Sequence, residues 1–139
     1  MRRRVFLRTF LLALIAPVYA AGEGSPATTM PKKFKLRADQ IKALVPSMGG
    51  AFATDRITVE GMPVGYMYRE APHRPEDSGW RFFAGDESPA YLADSSNTSI
   101  FAVNTIANYD PDIISYLDNT APCAFEKVAG SHVYKKVAQ

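Results

Sequence analysis

The sequence predicts an α+β fold, with a mainly antiparallel sheet of about six strands and two or three short helices. Three observations carry this expectation. Short runs rich in Val, Ile, Tyr, Phe and Trp recur between turns bearing Gly, Pro and Asp. Hairpin-length connections dominate, and no strand–helix–strand unit repeats, which argues against a parallel sheet. Two dipeptides, Ser88-Pro89 and Asp110-Pro111, carry helix-start chemistry: a capping side chain followed by a residue whose fixed φ suits the first turn.

The elements follow in order. Ile41, Leu44 and Val45 fall at i, i+3 and i+4, so a short helix is expected over 38–45, with Asp39 in its first turn and Pro46 as its stop. Gly49-Gly50 opens the β-rich part, where Ala51 to Thr54 and Ile57 to Val59 read as extended. Gly61-Met62-Pro63 is turn chemistry. A strand over 64–69 places Val64, Tyr66 and Tyr68 on one face. The segment 71–78, with two prolines, reads as an exposed loop, and 79–83 as a further strand. A helical turn is expected at 88–92, a polar loop at 94–99 and a strand at 100–103. A helix starts at Asp110, with Ile113, Ile114 and Leu117 as its apolar face. Two last strands, 123–128 and 132–137, meet at a turn around Gly130.

The first twenty residues stand apart. Arg2, Arg3 and Arg4 precede an apolar run, Leu11 to Ala16, and Val18-Tyr19-Ala20 offers small residues at −3 and −1 of a cut. These are the three parts of a secretory signal peptide, with cleavage expected between Ala20 and Ala21. The run is far shorter than the ~20 residues a membrane span needs. Arg3-Arg4-Val5-Phe6-Leu7-Arg8 also resembles a twin-arginine export signal, although Arg2 stands where Ser or Thr is usual; an ordinary arginine-rich leader is the alternative. Either route delivers the chain to the periplasm. Residues 21–33, rich in Gly, Ser, Pro, Ala and Thr, read as a flexible tether, and a single domain is expected over 34–139.

Charge and cysteine content narrow the function. The chain of 139 residues has formal charge +2, but the leader holds four arginines and no acid, so the remaining 119 residues carry −2. The basicity belongs to the leader, and no electrostatic footprint for nucleic acid is left. No like-charge run marks a membrane-binding tail, so no stable membrane anchor is expected after processing. Cys123 is alone and cannot close an internal disulfide; it reads as a small buried hydrophobe.

Three blocks share a resemblance. The first runs from Gly49 to Gly61 and continues from Pro63 to Glu70. The second is Asp77-Ser78-Gly79-Trp80-Arg81-Phe82 with Gly85-Asp86-Glu87. The third is Val103-Asn104-Thr105-Ile106-Ala107-Asn108-Tyr109-Asp110-Pro111-Asp112-Ile113. Together they resemble the immunity-protein-33 domain, first described as a domain of unknown function, over residues 48–138, and the second block is the most specific. The resemblance implies a role in bacterial polymorphic-toxin systems, where an immunity protein binds and blocks a toxin made by its own cell or its kin. It implies a binding module and supplies no catalytic residues. Many relatives lack an export signal. The leader here therefore directs the expectation to a toxin acting in the periplasm, on peptidoglycan or membrane lipid.

The residues themselves offer little catalytic chemistry. His73, His132 and Cys123 show no metal-ligand spacing, and the calcium-loop ladder of acids is missing around Asp110 and Asp112. Cys123 and His132 could meet across the last hairpin, but nothing around Cys123 activates a thiol. No nucleophile elbow or phosphate-cradling glycine loop occurs. Asp86-Glu87, Asp110 with Asp112, and Glu70 could serve sugar cleavage, yet in these contexts acids usually form turns and caps. No catalytic residue, metal or cofactor is expected.

The aromatic set points to a partner. Tyr66, Tyr68, Trp80, Phe82 and Phe83 lie on neighbouring predicted strands, and most are core. Phe82 and Phe83 must face opposite ways, and Arg81 points away from Trp80 and Phe82. One face could thus present an aromatic, and Trp, Tyr and Arg dominate interface hot spots. The expected contact residues are Tyr68, Trp80 and Arg81, with Asp86 and Glu87 as an acidic rim beside Asp77. The expected function is occlusion of a protein toxin in the periplasm. The alternatives are inhibition of a foreign cell-wall hydrolase such as lysozyme, or an enzyme working through its acids.

Overall fold

Alternation of aromatic and small residues along short strands builds one sheet with two unlike faces. The computed structural model describes residues 31–139. The strands are β1 (Gly50–Thr54), β2 (Tyr66–Arg69), β3 (Asp77–Phe83), β4 (Thr98–Ala102), β5 (Cys123–Lys127) and β6 (Tyr134–Val137). The short helices are α1 (Asp55–Thr58), α2 (Pro89–Ala93) and α3 (Val103–Tyr109), with 3-10 turns at Ala38–Gln40, Ser95–Asn97 and Pro111–Tyr116. Sheet order is β4-β1-β3-β2-β5-β6. Every neighbouring pair is antiparallel except β1 with β3, which run parallel. The mostly antiparallel α+β architecture is the one the sequence predicts.

One face carries Ala51, Ala53, Met67, Trp80, Phe82 and Phe125. Against it pack Ile57 of α1, Val103, Ile106 and Ala107 of α3, and Ile113 and Leu117 of the 3-10 turn. Trp80 and Phe82 stack at 5.9 Å. The opposite face carries Tyr66, Tyr68, Phe83 and Ala124, with Leu92 of α2 across one end. Tyr68 and Phe83 stack at 6.0 Å. The two expected caps are present: Ser88 Oγ accepts from Tyr91 N–H at 3.1 Å, and Asp110 Oδ1 accepts from Asp112 N–H at 3.1 Å.

Several local expectations need correction. The exposed loop expected over 71–78 ends before Asp77, where β3 begins, and Ser78 is buried. The helix expected over 38–45 is a single 3-10 turn followed by extended chain. Two asparagines of α3 hold that chain straight. Asn104 Oδ1 accepts from Leu44 N–H (2.7 Å) and Val45 N–H (3.1 Å), while Asn108 Oδ1 accepts from Lys42 N–H (3.0 Å). Both amide groups donate to Lys42 C=O, at 2.8 and 2.9 Å. Side chains here take the place of a helical ladder.

Residues 57–59 are not a strand, because Asp55 C=O accepts from both Val59 and Glu60 N–H and closes a helical turn that drives Ile57 into the core. The strand expected over 100–103 stops at Ala102, where α3 begins. Val103, Ile106 and Ala107 are its buried stripe at i, i+3 and i+4. Val64 does not share a face with Tyr66 and Tyr68, since it belongs to the opposite cluster. Gly65 breaks the alternation: a Cβ there would lie 2.0 Å from Ala84 O.

The leader over 1–20, its cleavage between Ala20 and Ala21, and residues 21–30 of the tether lie outside the described residues. The last tether residues are already anchored. Lys32 Nζ donates to Asp55 Oδ1 at 2.9 Å and to Ser99 Oγ at 3.0 Å.

Candidate partner-binding site

The block Asp77 to Phe82 builds a buried cradle, and each residue type has a geometric reason. Asp77 and Arg81 are four apart in a strand bent by Gly79, whose φ is +85° and whose Cβ would sit 2.1 Å from Glu70 O. Arg81 has no exposed surface. Its Nη1 donates to Asp77 Oδ1 and its Nη2 to Asp77 Oδ2, each at 2.8 Å, a bidentate pair. Nη2 also reaches Glu70 Oε1 at 3.2 Å, and Nη1 donates to Trp80 C=O at 3.0 Å. The Phe52 ring lies over the guanidinium at 4.7 Å. Nε has no hydrogen-bond partner among the described residues.

Burial opposes the charge on Asp77, but the hydrogen bonds from Arg81, Gly79 N–H and His73 N–H outweigh it and hold the carboxyl far below the usual carboxylate range. Burial likewise opposes the Arg81 charge, and Asp77 and Glu70 more than offset it. Ser78 ties the cradle to β1 by donating to Gly50 C=O at 2.6 Å and accepting from Trp80 N–H at 3.1 Å. His73 Nε2 lies 2.7 Å from Glu70 Oε1, which fastens the 71–76 loop over the same cluster.

A groove opens beside this cradle. It encloses about 350 Å³ between Phe52, Ile100 and the loop residues His73, Arg74 and Glu76. Ile100 is 65% exposed, the most exposed large hydrophobic side chain described. Its register partner on β1 is Phe52, whose own partner on β3 is Arg81, and Arg81 in turn pairs with Tyr68. Exposed Ile100, half-buried Phe52, buried Arg81 and buried Tyr68 thus form one row across four strands.

The sequence-predicted contact residues divide. Tyr68 and Arg81 share this row, but both are buried, so Arg81 supports the groove from beneath and does not line it. Trp80 is fully buried on the opposite face, among Phe82, Phe125 and Arg69, the last lying over its ring at 5.7 Å. Neither Trp80 nor Arg81 offers surface to a partner in this conformation. A strand sandwiched between two filled faces leaves them nowhere to emerge.

Asp86 and Glu87 lie past the other end of β3. Asp86 is exposed, and its pairing with Arg56 holds its carboxyl below the usual range. Glu87 is buried, accepting from Ala84 N–H, Gly85 N–H and Thr54 Oγ1 at 3.0, 2.7 and 2.9 Å. Glu87 is therefore a turn residue rather than a rim. What the sequence missed is the Phe52–Ile100 groove, although the uncharged run Thr98 to Ala102 was a signal for it.

The remaining candidate acids are also occupied internally. Asp110 Oδ2 accepts from Val64 N–H (2.9 Å), Lys127 Nζ (2.8 Å) and Tyr134 Oη (3.3 Å). Burial, then the Asp110 charge, pushes the Tyr134 phenol far above its usual value. Asp112 holds Lys127 and His132 Nδ1, at 3.1 and 2.9 Å. Cys123 is buried, and burial raises its thiol. Cys123 lies at the far end of the β5–β6 hairpin from His132, because Lys127 pairs with Tyr134 and Ala124 with Val137. Among the described residues no three metal-ligating side chains converge, and no helix is long and apolar enough to cross a membrane.

Residues 51–138 match the Immunity protein Imm33 domain. No curated protein and no solved structure matches the chain.

Proposed function

The chain belongs to the Imm33 immunity-protein family, and on that premise we propose that it binds a protein toxin in the periplasm and neutralises it by occlusion, without catalysis. The observation that carries this reading is the groove between Phe52 and Ile100, backed by a fully buried Arg81 that Asp77 and Glu70 hold still. Such a surface is preformed, so little ordering is lost when a partner docks. The acids that acid–base chemistry would require support the same reading, since Glu70, Asp77, Glu87 and Asp110 each hold internal hydrogen bonds. Export through residues 1–20 would place the encounter in the periplasm.

The test begins with the gene's neighbourhood, where a toxin gene is the expected source of the partner. Co-expression of the full chain should restore growth to cells carrying that toxin in the periplasm, and the purified proteins should form a complex that silences the toxin at equimolar ratio. The N-terminus of the periplasmic form should be Ala21. Cells dying despite abundant folded chain, or catalytic turnover of the toxin or its substrate by the chain itself, would overturn the proposal. Recovery of the chain only in the cytoplasm with residues 1–20 attached would overturn the location alone.

A further inference from the structure

The two edges of the sheet are built differently. On β6, Lys135 and Lys136 are exposed, and Tyr134 N–H is taken by Tyr116 Oη at 2.9 Å. Lysines on an edge discourage strand pairing. On β4 no residue from Thr98 to Ala102 is charged. The direction of its backbone groups follows from register. Val103 N–H donates to Gly49 C=O at 3.2 Å, so in this antiparallel pair the residues bonded to β1 are Phe101 and Ser99. The N–H and C=O of Ile100, the C=O of Thr98 and the N–H of Ala102 therefore point to the open edge, and among the described residues no backbone bond outside the ladder reaches them; Thr98 N–H instead donates to Ser95 C=O, and Ala102 C=O opens the ladder of α3. Ile100 stands on that edge beside the groove.

We infer that β4 is the toxin-docking edge: an extended, uncharged segment of the toxin adds as a seventh strand beside Thr98–Ala102 and seats one large apolar side chain in the groove between Phe52 and Ile100. This rests on the function proposed above. The backbone groups left open among the described residues suit an extended occupant, because a strand offers donors and acceptors at their spacing. A second copy of this chain fits poorly. Two five-residue edges paired symmetrically bring ten residues together, against about 20–30 on each side of a stable interface. A partner whose body also reaches His73, Arg74 and Glu76 across the groove makes up the missing area.

Ala102→Pro isolates the backbone contribution. Ala102 already has φ −61°, the value proline requires, and the N–H it would lose points away from β1. Ile100→Lys adds an edge charge at a side chain that is mostly in solvent. Val133→Lys, on an exposed hairpin residue far from β4, is the control. Each variant should keep wild-type circular dichroism. Calorimetric titration against the neighbouring toxin should show Ala102→Pro and Ile100→Lys binding at least about tenfold more weakly, with Val133→Lys unchanged. Wild-type binding by both folded β4 variants would overturn the docking edge while leaving the function standing. A wild-type chain that ignores the toxin would overturn both. A wild-type dimer in solution that Ala102→Pro turns into a monomer would also overturn the assignment, in favour of self-pairing.

Discussion

Asp77 grips Arg81 through both carboxylate oxygens, 2.8 Å from each terminal nitrogen, and Arg81 has no solvent exposure. Removing one partner of such a pair strands a charge in the interior. Asp77→Asn should therefore lower unfolding free energy by about 3–5 kcal/mol in urea titration. Pairing it with Arg81→Met should recover part of that loss, since no cation is then buried without its partner, although Glu70 and Trp80 C=O each lose a donor.

The same pair sets an acid limit. The folded-state pKa of Asp77 is depressed below its ordinary 3.8, so its contribution to stability is complete above about pH 5 and is lost as pH falls through and below 3.8. Wild-type stability measured from pH 6 down to 2 should decline steeply at the acid end. Asp77→Asn should show a shallower decline over that range; an unchanged slope would place the acid sensitivity elsewhere.

Gly79 and Gly130 both have positive φ, at +85° and +69°, but differ in surroundings. A Cβ at Gly79 would meet Glu70 O at 2.1 Å, whereas at Gly130 nothing lies within 4 Å. Gly130→Ala should cost about 1 kcal/mol, the ordinary left-handed penalty. Gly79→Ala should cost several-fold more and yield little soluble protein, because backbone must move. Thermal melts of the two compare them directly.

Charge reversal on the α2 side must distinguish neighbours. Glu87 accepts three hydrogen bonds in a buried turn, so Glu87→Lys should unfold the chain, while Asp86→Lys should keep the fold and lose only the ion pair with Arg56, worth about 0–1 kcal/mol at an exposed site. Under the β4 docking assignment, Asp86→Lys leaves toxin affinity unchanged.

Asn104→Ala should free the extended segment 41–48 without unfolding the sheet. The amides of Leu44 and Val45 should lose protection in hydrogen exchange, and global stability should fall by about 1–2 kcal/mol.

The strands were legible because their signals are local. Tyr66 to Arg69, Gly79 to Phe83 and the pair around Gly130 alternate between turn residues, and the caps at Ser88 and Asp110 rest on neighbours two or three residues away. Misreadings arose where distant groups decide. The periodicity of Ile41, Leu44 and Val45 is helical, yet Asn104 and Asn108, some sixty residues on, pull that chain straight. α3 is hard to read in the sequence because Val103 closes an apolar run before it opens a stripe. For the expected contact residues Trp80 and Arg81, accessibility is what the sequence hides. Strand alternation says which way Trp80 and Arg81 point, but only the packing of both sheet faces says that neither direction leads to solvent. The exposure of Ile100 is hidden in the sequence because it depends on β4 lying at an edge, a fact of strand order.

The asparagine clamp also redraws the boundary of the folding unit. The shared domain spans 51–138, yet Val45 and Met48 pack on the core from in front of it. A version trimmed to the homologous region would shed a belt that helix α3 fastens, and would bare apolar surface that the intact chain keeps under cover.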